Sequence, residues 1–282
     1  MIRQYDQCTL KKLQDTELSM LGDIINVCEK YNIGYFAVFG TLIGAIRHNG
    51  FIPWDDDMDI AMLREDYDKF CQIFEKEMGH KYSLMTPLTH KGFASTVIKV
   101  EKKGTKFIPN HSRKMKCEQG IFIDIFIYDK VSKNPKQYKR QIKRARFLAE
   151  AIFLAGSPYP EINIGGIKEK AAKFICMAVH YMFKLVPGIH VFLYKKFIKY
   201  SVMANNENVN KYTIYQSTAP NKCVVDIDNI LPYQKVRFGE LMINVPKDYD
   251  YILRERYGDY MKLPPEEERI NHAADIIDFG NE

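Results

Sequence analysis

Four aspartates stand within five positions in the stretch FIPWDDDMDIAM: Asp55, Asp56, Asp57 and Asp59, with apolar residues on both sides. If the chain is extended there, Asp55, Asp57 and Asp59 share one face, with successive carboxylates ~6.7 Å apart. Two such charges repel by roughly 2.5 kcal/mol at a protein-like dielectric. A divalent cation removes that penalty, and Mg²⁺ takes oxygen ligands that it shares between carboxylates and the phosphates of a substrate. Asp55 and Asp56 can equally cap a turn after Pro53, whereas the surroundings of Asp57 and Asp59 argue for burial. A further acid, Asp124, lies between Ile123 and Ile125 in GIFIDIFIYD. A carboxylate in such a run is paired, protonated or bound to a metal. Asp129, at the end of the same run, is the weaker candidate.

Phosphate contacts can be drawn from the same neighbourhood. Gly40 and Thr41 stand at a strand-to-helix junction, and helix N-termini favour anions. Gly40 lets the backbone approach a phosphate, and Thr41 adds a hydroxyl. Arg47 suits phosphate recognition, or else a salt bridge to the aspartates. His48 reads as a hydrogen-bonding structural residue. Lys99 in VIKV is either a phosphate contact or a product of strand alternation. Arg269 and His272, after the Pro-Pro turn near the C-terminus, either fold back onto a phosphate or clamp the tail.

These residues need elements to hold them. Apolar residues at spacings of three and four predict an amphipathic helix over 10–30. YFAVF predicts a strand, GTLIGAIRH a short helix after Gly40, and DMDIAM a strand with one functional face. Helix 64–78 follows, then strands in STVIKVEK and GIFIDIFIYD. Residues 134–155 and 167–205 read as helical, the second stretch broken at VPG. YQKVRFGELMINV reads as a hairpin turning at Gly239, and Pro246 to Gly258 brackets a last helix. The order gives an α+β fold: a mixed sheet core with an N-terminal helix and a largely helical C-terminal half.

Composition sets outer bounds. The chain has 282 residues, 46% hydrophobic and 27% charged, with a net charge of +6, as expected of a soluble globular protein. A basic chain with one acidic spot suits a phosphate-rich ligand, or an anionic surface met through a cation. The charge is too mild for nucleic acid, and no nucleic-acid motif is present. Cys8, Cys28, Cys71, Cys117, Cys176 and Cys223 form no CxxC and read as free thiols of a reducing cytosol. The N-terminus lacks an apolar signal-peptide core. In the most hydrophobic stretch, 171–198, Lys173, His180, Lys184 and Pro187 break any span, but the stretch can lie on a membrane surface. Its Phe174, Met177, Val179, Met182, Phe183, Phe192, Leu193 and Phe197 read as core or a homodimer face, or else as an interfacial platform.

FGTLIGAIRHNGFIPWDDDMDIAM, together with FIDIFIYD and FGELMINVPKDYDYILRERYGDYMKLPPEEERINH, resembles the LicD family of phosphorylcholine transferases, with a more distant likeness to fukutin and fukutin-related protein. The resemblance implies a nucleotidyltransferase-like fold. Residues 1–133 would form a catalytic core, 134–210 a helical region and 211–282 a hairpin and helix completing the core. It also implies metal-binding acids at Asp57, Asp59 and Asp124, with Asp55 adjoining, and a glycine turn at Gly40 and Thr41. The cofactor would be Mg²⁺, with Mn²⁺ as a substitute. The implied reaction moves a phospho-alcohol such as phosphocholine from a CDP-linked donor to a hydroxyl of a cell-surface glycan and releases CMP. The glycan would be a teichoic acid, lipopolysaccharide or capsule, lipid-linked, and the enzyme cytoplasmic or peripheral on the inner face of the membrane. FIYD departs from a family pattern with proline there, with no expected effect on chemistry. A nucleotidyltransferase using an NTP, and an inactive scaffold of glycan assembly, are the competing expectations.

Overall fold

The structure, a computed structural model, describes residues 4–160, 165–271 and 273–280. In chain order its elements are α1 (Gln7–Tyr31), β1 (Phe36–Ala37), α2 (Phe39–His48), β2 (Asp59–Leu63), α3 (Arg64–Met78), β3 (Tyr82–Met85), β4 (Ile98–Lys102), β5 (Lys106–Ile108), β6 (Phe122–Lys130), α4 (Pro135–Gly156), α5 (Gly166–Lys184), α6 (Ile189–Ser201), β7 (Lys211–Ile214), β8 (Val225–Asp226), α7 (Ile227–Ile230), β9 (Gln234–Phe238), β10 (Leu241–Val245), α8 (Tyr249–Tyr257) and β11 (Ile276–Asp278). The fold is mixed α/β.

Nine-residue β6 is the spine of the main sheet. On one edge it pairs in parallel with β2. On the other edge it pairs antiparallel with β4 through Phe122–Ile125 and then with β7 through Tyr128–Lys130. Between these two partners Ile127 would lose a ladder bond. Gln216 fills the gap, accepting from the Ile127 N–H at 2.7 Å and donating to the Thr96 carbonyl at 2.9 Å.

Alternation sends successive side chains to opposite faces. One face presents Ile60, Met62, Val100, Ile123 and Ile125, packed against α1 and α3 through Leu13, Leu21, Ile24, Phe70 and Phe74. Asp6 caps the start of α1 by accepting from the Thr9 N–H at 2.9 Å, and Asn32 closes the helix in a left-handed conformation. The second face is smaller: Phe36, Ala61, Phe126, Tyr128 and Ile214, covered by Cys223, Val225 and Ile230. Asp59 and Asp124 belong to this second face, two residues before Ala61 and Phe126.

Several expected boundaries move. The YFAVF strand shrinks to Phe36–Ala37, because Phe39 already opens α2. Strand β2 begins at Asp59, not Asp57. A turn at Pro53 and Trp54, closed by the Asp55 N–H on the Ile52 carbonyl at 2.9 Å, holds the preceding residues in a loop. The shared strand face expected for Asp55, Asp57 and Asp59 therefore does not exist; only Asp59 lies on the strand. The last helix starts at Tyr249 rather than at Pro246. In the helical middle, Leu193 and Phe197 are core, but Phe174, Met182 and Phe192 stand exposed.

Asp129 has a structural task. Arg64, the first residue of α3, donates through Nε and Nη2 to its two oxygens at 2.9 and 2.7 Å, and Asn205 adds a bond at 2.8 Å. From Asp124 it is five residues along β6, ~17 Å at the ordinary strand rise.

Candidate functional site

The site starts at a sharp corner between β1 and α2. Phe39 lies there at φ 51, a conformation that costs a bulky residue ~1–2 kcal/mol. It is held by an edge-on contact with the Phe126 ring at 4.8 Å and by the Arg256 guanidinium 4.2 Å above its own ring. The corner brings the first turn of α2 against the acidic loop at Asp55. A Cβ on Gly40 would stand 2.8 Å from Asp55 Oδ2, so a larger residue would push that carboxylate aside. Thr41 Oγ1 accepts the Asp59 N–H at 2.7 Å. That bond ties α2 to the first residue of β2 and fixes where Asp59 begins.

Asp59 and Asp124 are register partners on adjacent parallel strands, and the Asp124 N–H closes the ladder on the Met58 carbonyl at 2.9 Å. Such neighbours lie ~4.8 Å apart. Burial pushes the Asp59 carboxyl well above the usual range, and Asp57, Asp124 and Asp55 push it further. Burial also raises Asp124, against the opposing charge of Lys99. Lys99 is the antiparallel register partner of Asp124, with Nζ 2.7 Å from Oδ1 and 3.1 Å from the centre of the Phe122 ring. It is therefore the counter-charge of Asp124 here. Asp55 and Asp57 reach the site from the loop, both half-buried, while Asp56 is the deeply buried member at 1% exposure.

Arg47 is turned away toward the C-terminal segment. Its Nη1 donates to the carbonyls of Tyr260 at 2.6 Å and Lys262 at 3.4 Å, and its Nε to His48 Nε2 at 2.9 Å. Burial, then the nearby Arg269 charge, lowers its pKa. Arg269 folds back over the Trp54 ring at 5.4 Å and donates to the Pro264 carbonyl at 2.9 Å. The tail thus returns to the rim of the acidic loop, and both arginines clamp it there. His272 lies outside the described residues.

Two groups at the site escaped the reading of the sequence. Arg256 and Tyr257, in the last turn of α8, line a cavity of about 30 Å³ beside Val38 and Phe39. Tyr257 lies close enough to Asp59 for that charge to act on it. The other is Glu17, 1% exposed on the apolar face of α1, where an acid amid leucines at helical spacing was a visible signal. One turn earlier, Gln14 donates to the Asp55 carbonyl at 2.9 Å, so α1 underlies the acidic loop. Glu17 Oε2 is buried without a hydrogen-bond partner among the described residues. Burial drives the Glu17 pKa well up, helped by Asp57, Asp56, Asp55 and Asp59. A raised folded pKa means the stability associated with Glu17 is full below the ordinary glutamate range and is lost as pH rises. In EDTA, Glu17→Gln is expected to melt with wild type near about pH 5 and a few degrees above it near about pH 8. Scanning calorimetry across that range checks this; a gap independent of pH would contradict it.

The donor set is all carboxylate oxygen, which fits Mg²⁺ or Mn²⁺ rather than a softer metal. Among the described residues, no three His, Cys, Asp or Glu side chains are gathered closely enough to hold an ion together. Asp124 is drawn to Lys99 instead, so an entering cation would compete with that ammonium.

A family model described as the LicD/FKTN/FKRP nucleotidyltransferase domain matches residues 32–155. The chain is 32% identical over 267 residues to the lipopolysaccharide cholinephosphotransferase LicD of Haemophilus influenzae, covering 94% of this chain and 96% of that protein. It is 35% identical over 72 residues to the human ribitol 5-phosphate transferase FKRP, 26% of this chain and 14% of that one. An uncharacterized protein of Rickettsia typhi is 42% identical over 64 residues, 22% of this chain and 21% of that one.

Proposed function

The chain belongs to the LicD family, and from that premise we propose that it moves a phospho-alcohol, phosphocholine first among them, from a CDP-linked donor to a hydroxyl of a cell-surface glycan. The names of its relatives make it a phosphotransferase. The observation that carries the reading further is the register pairing of Asp59 with Asp124 at the end of the smaller sheet face. Two acids buried side by side, with a third and fourth in the adjoining loop, are unfavourable in themselves and serve a ligand that brings positive charge.

Asp57, Asp59 and Asp124 would hold Mg²⁺, with Asp55 beside them. Bound there, the ion would neutralise charge on the donor diphosphate and on the departing CMP oxygen. The protein's own groups do the rest. The start of α2 at Gly40, where the helix dipole favours negative charge, would face the donor phosphates beside Asp55. Lys99 balances Asp124 and keeps that carboxylate in place. The acceptor hydroxyl attacks the distal phosphorus in line. A new P–O bond forms, the bond to the CMP oxygen breaks with its electron pair, and the hydroxyl proton passes to a carboxylate of the set. Phosphoryl transfer of this kind depends on positioning and charge stabilisation more than on covalent catalysis.

A donor panel tests the proposal. With Mg²⁺ and a glycan acceptor, CDP-choline should release CMP faster than CDP-ribitol, CDP-glycerol or CDP-ethanolamine, and EDTA should stop it. Pyrophosphate release from an NTP would point to a nucleotidyltransferase. Unchanged glycan decoration in cells carrying Asp57→Ala with Asp59→Ala would point to a scaffold.

A further inference from the structure

The helical segment inserted between β6 and β7 carries two properties that the transfer site does not need. The first is charge. Residues 134–201 hold thirteen lysines and arginines against three glutamates, whereas the whole chain has 41 basic and 35 acidic residues. The positive excess of the protein is thus concentrated in this insert. The second is exposed apolar surface. Helix α5 lies against α4 on the side of His180, its one buried residue, whose Nδ1 meets the Leu154 carbonyl at 2.7 Å. The opposite side presents Ile167, Phe174, Tyr181 and Leu185 at 86, 66, 52 and 81% exposure. Intervals of seven, seven and four place these on one helical stripe. Ile175 and Met182 widen it, and Phe192 continues it past the turn onto α6.

Among the described residues no single helix is long and apolar enough to cross a bilayer, and α5 and α6 meet at a 104° bend. A helix of 19 residues, ~28 Å long, with an apolar stripe and basic flanks suits lying within the headgroup boundary. The lysines are arranged for this. The Lys184 ammonium stands 5.2 Å from the Tyr181 ring and that of Lys196 stands 5.4 Å from the Phe192 ring. Their stems thus run along the stripe and their charges reach its edge. A symmetric second copy would bring the same positive surface against itself. The covering partner must instead be apolar and anionic together.

We propose that the α5–α6 elbow seats the protein on an anionic bilayer surface, the stripe entering the headgroup boundary and the flanking lysines resting on lipid phosphates. This is independent of the transfer chemistry. The full chain should sediment with phosphatidylcholine vesicles containing about 30 mol% phosphatidylglycerol at least tenfold more tightly than with phosphatidylcholine alone. Raising the salt to about 0.5 M should weaken it. Phe174→Ser with Leu185→Ser, both solvent-facing, should lower the affinity at least tenfold with the circular dichroism unchanged. Lys184→Glu with Lys196→Glu should abolish the preference for anionic vesicles. Equal binding to neutral and anionic vesicles, wild-type binding by the Phe174/Leu185 pair, or a solution dimer that this pair dissociates would each overturn the proposal.

Discussion

Replacing Asp59 by Asn is expected to lower CMP release at least about a thousandfold, since a metal's charge stabilisation is worth several kcal/mol and ~1.4 kcal/mol is a factor of ten. Stability should hold or rise. Asn keeps the size of the side chain and the backbone N–H that meets Thr41 Oγ1 at 2.7 Å. It also removes a buried charge whose pKa is driven up by burial and by Asp57, Asp124 and Asp55. An inactive variant that melts at or above the wild-type temperature would separate chemistry from folding. Turnover within tenfold of wild type would remove Asp59 from the reaction.

The opposite phenotype is expected at Asp129, on the neighbouring strand β6. Alanine there leaves the Arg64 guanidinium, 16% exposed, without its two-point partner. Breaking a buried pair from one side costs ~3–5 kcal/mol, which lowers the melting midpoint of a chain this size by roughly 5–10 °C. Any loss of activity at low temperature should track the unfolded fraction. Asp124→Asn should behave like Asp59→Asn, with lost turnover and a folded protein. Thermal unfolding and CMP release measured on both variants check the contrast. A stable Asp129→Ala would mean that the Arg64 pair does not hold α3 to β6.

Much of this was legible in the residues. Helix 64–78 was bounded correctly because charged first-turn residues and an apolar stripe at helical spacing coincide there. The isolated acid in GIFIDIFIYD was informative because Phe122 and Phe126, its neighbours on the same strand face, are apolar as well. What local spacing does not show is what tertiary contacts decide. A reading by alternation put Asp57 on a strand, but the turn at Pro53 and Trp54 delays β2 until Asp59. Lys99 reads as a phosphate contact or as a product of strand alternation; its cross-strand partner is Asp124, and register between distant strands is not written in local spacing. Arg47 reads as a phosphate contact or a partner of the aspartates, and the carbonyls it meets lie more than 200 residues away. The left-handed Phe39 could not have been read, since that conformation ordinarily selects glycine. Glu17 could have been, had the acidic interruption of its stripe been weighed with the apolar residues around it.

The central claim is that carboxylates of the acidic loop, β2 and β6 take a divalent cation together. Crystals grown with Mn²⁺ and CMP, examined by anomalous diffraction, test it most directly. The expected result is a manganese peak with oxygens of Asp57 and Asp59 at roughly 2.1–2.2 Å, Asp124 turned from Lys99 toward the ion, and no such peak in Asp59→Asn. Nucleotide bound with no metal between these acids, or manganese held by other residues, would contradict the account.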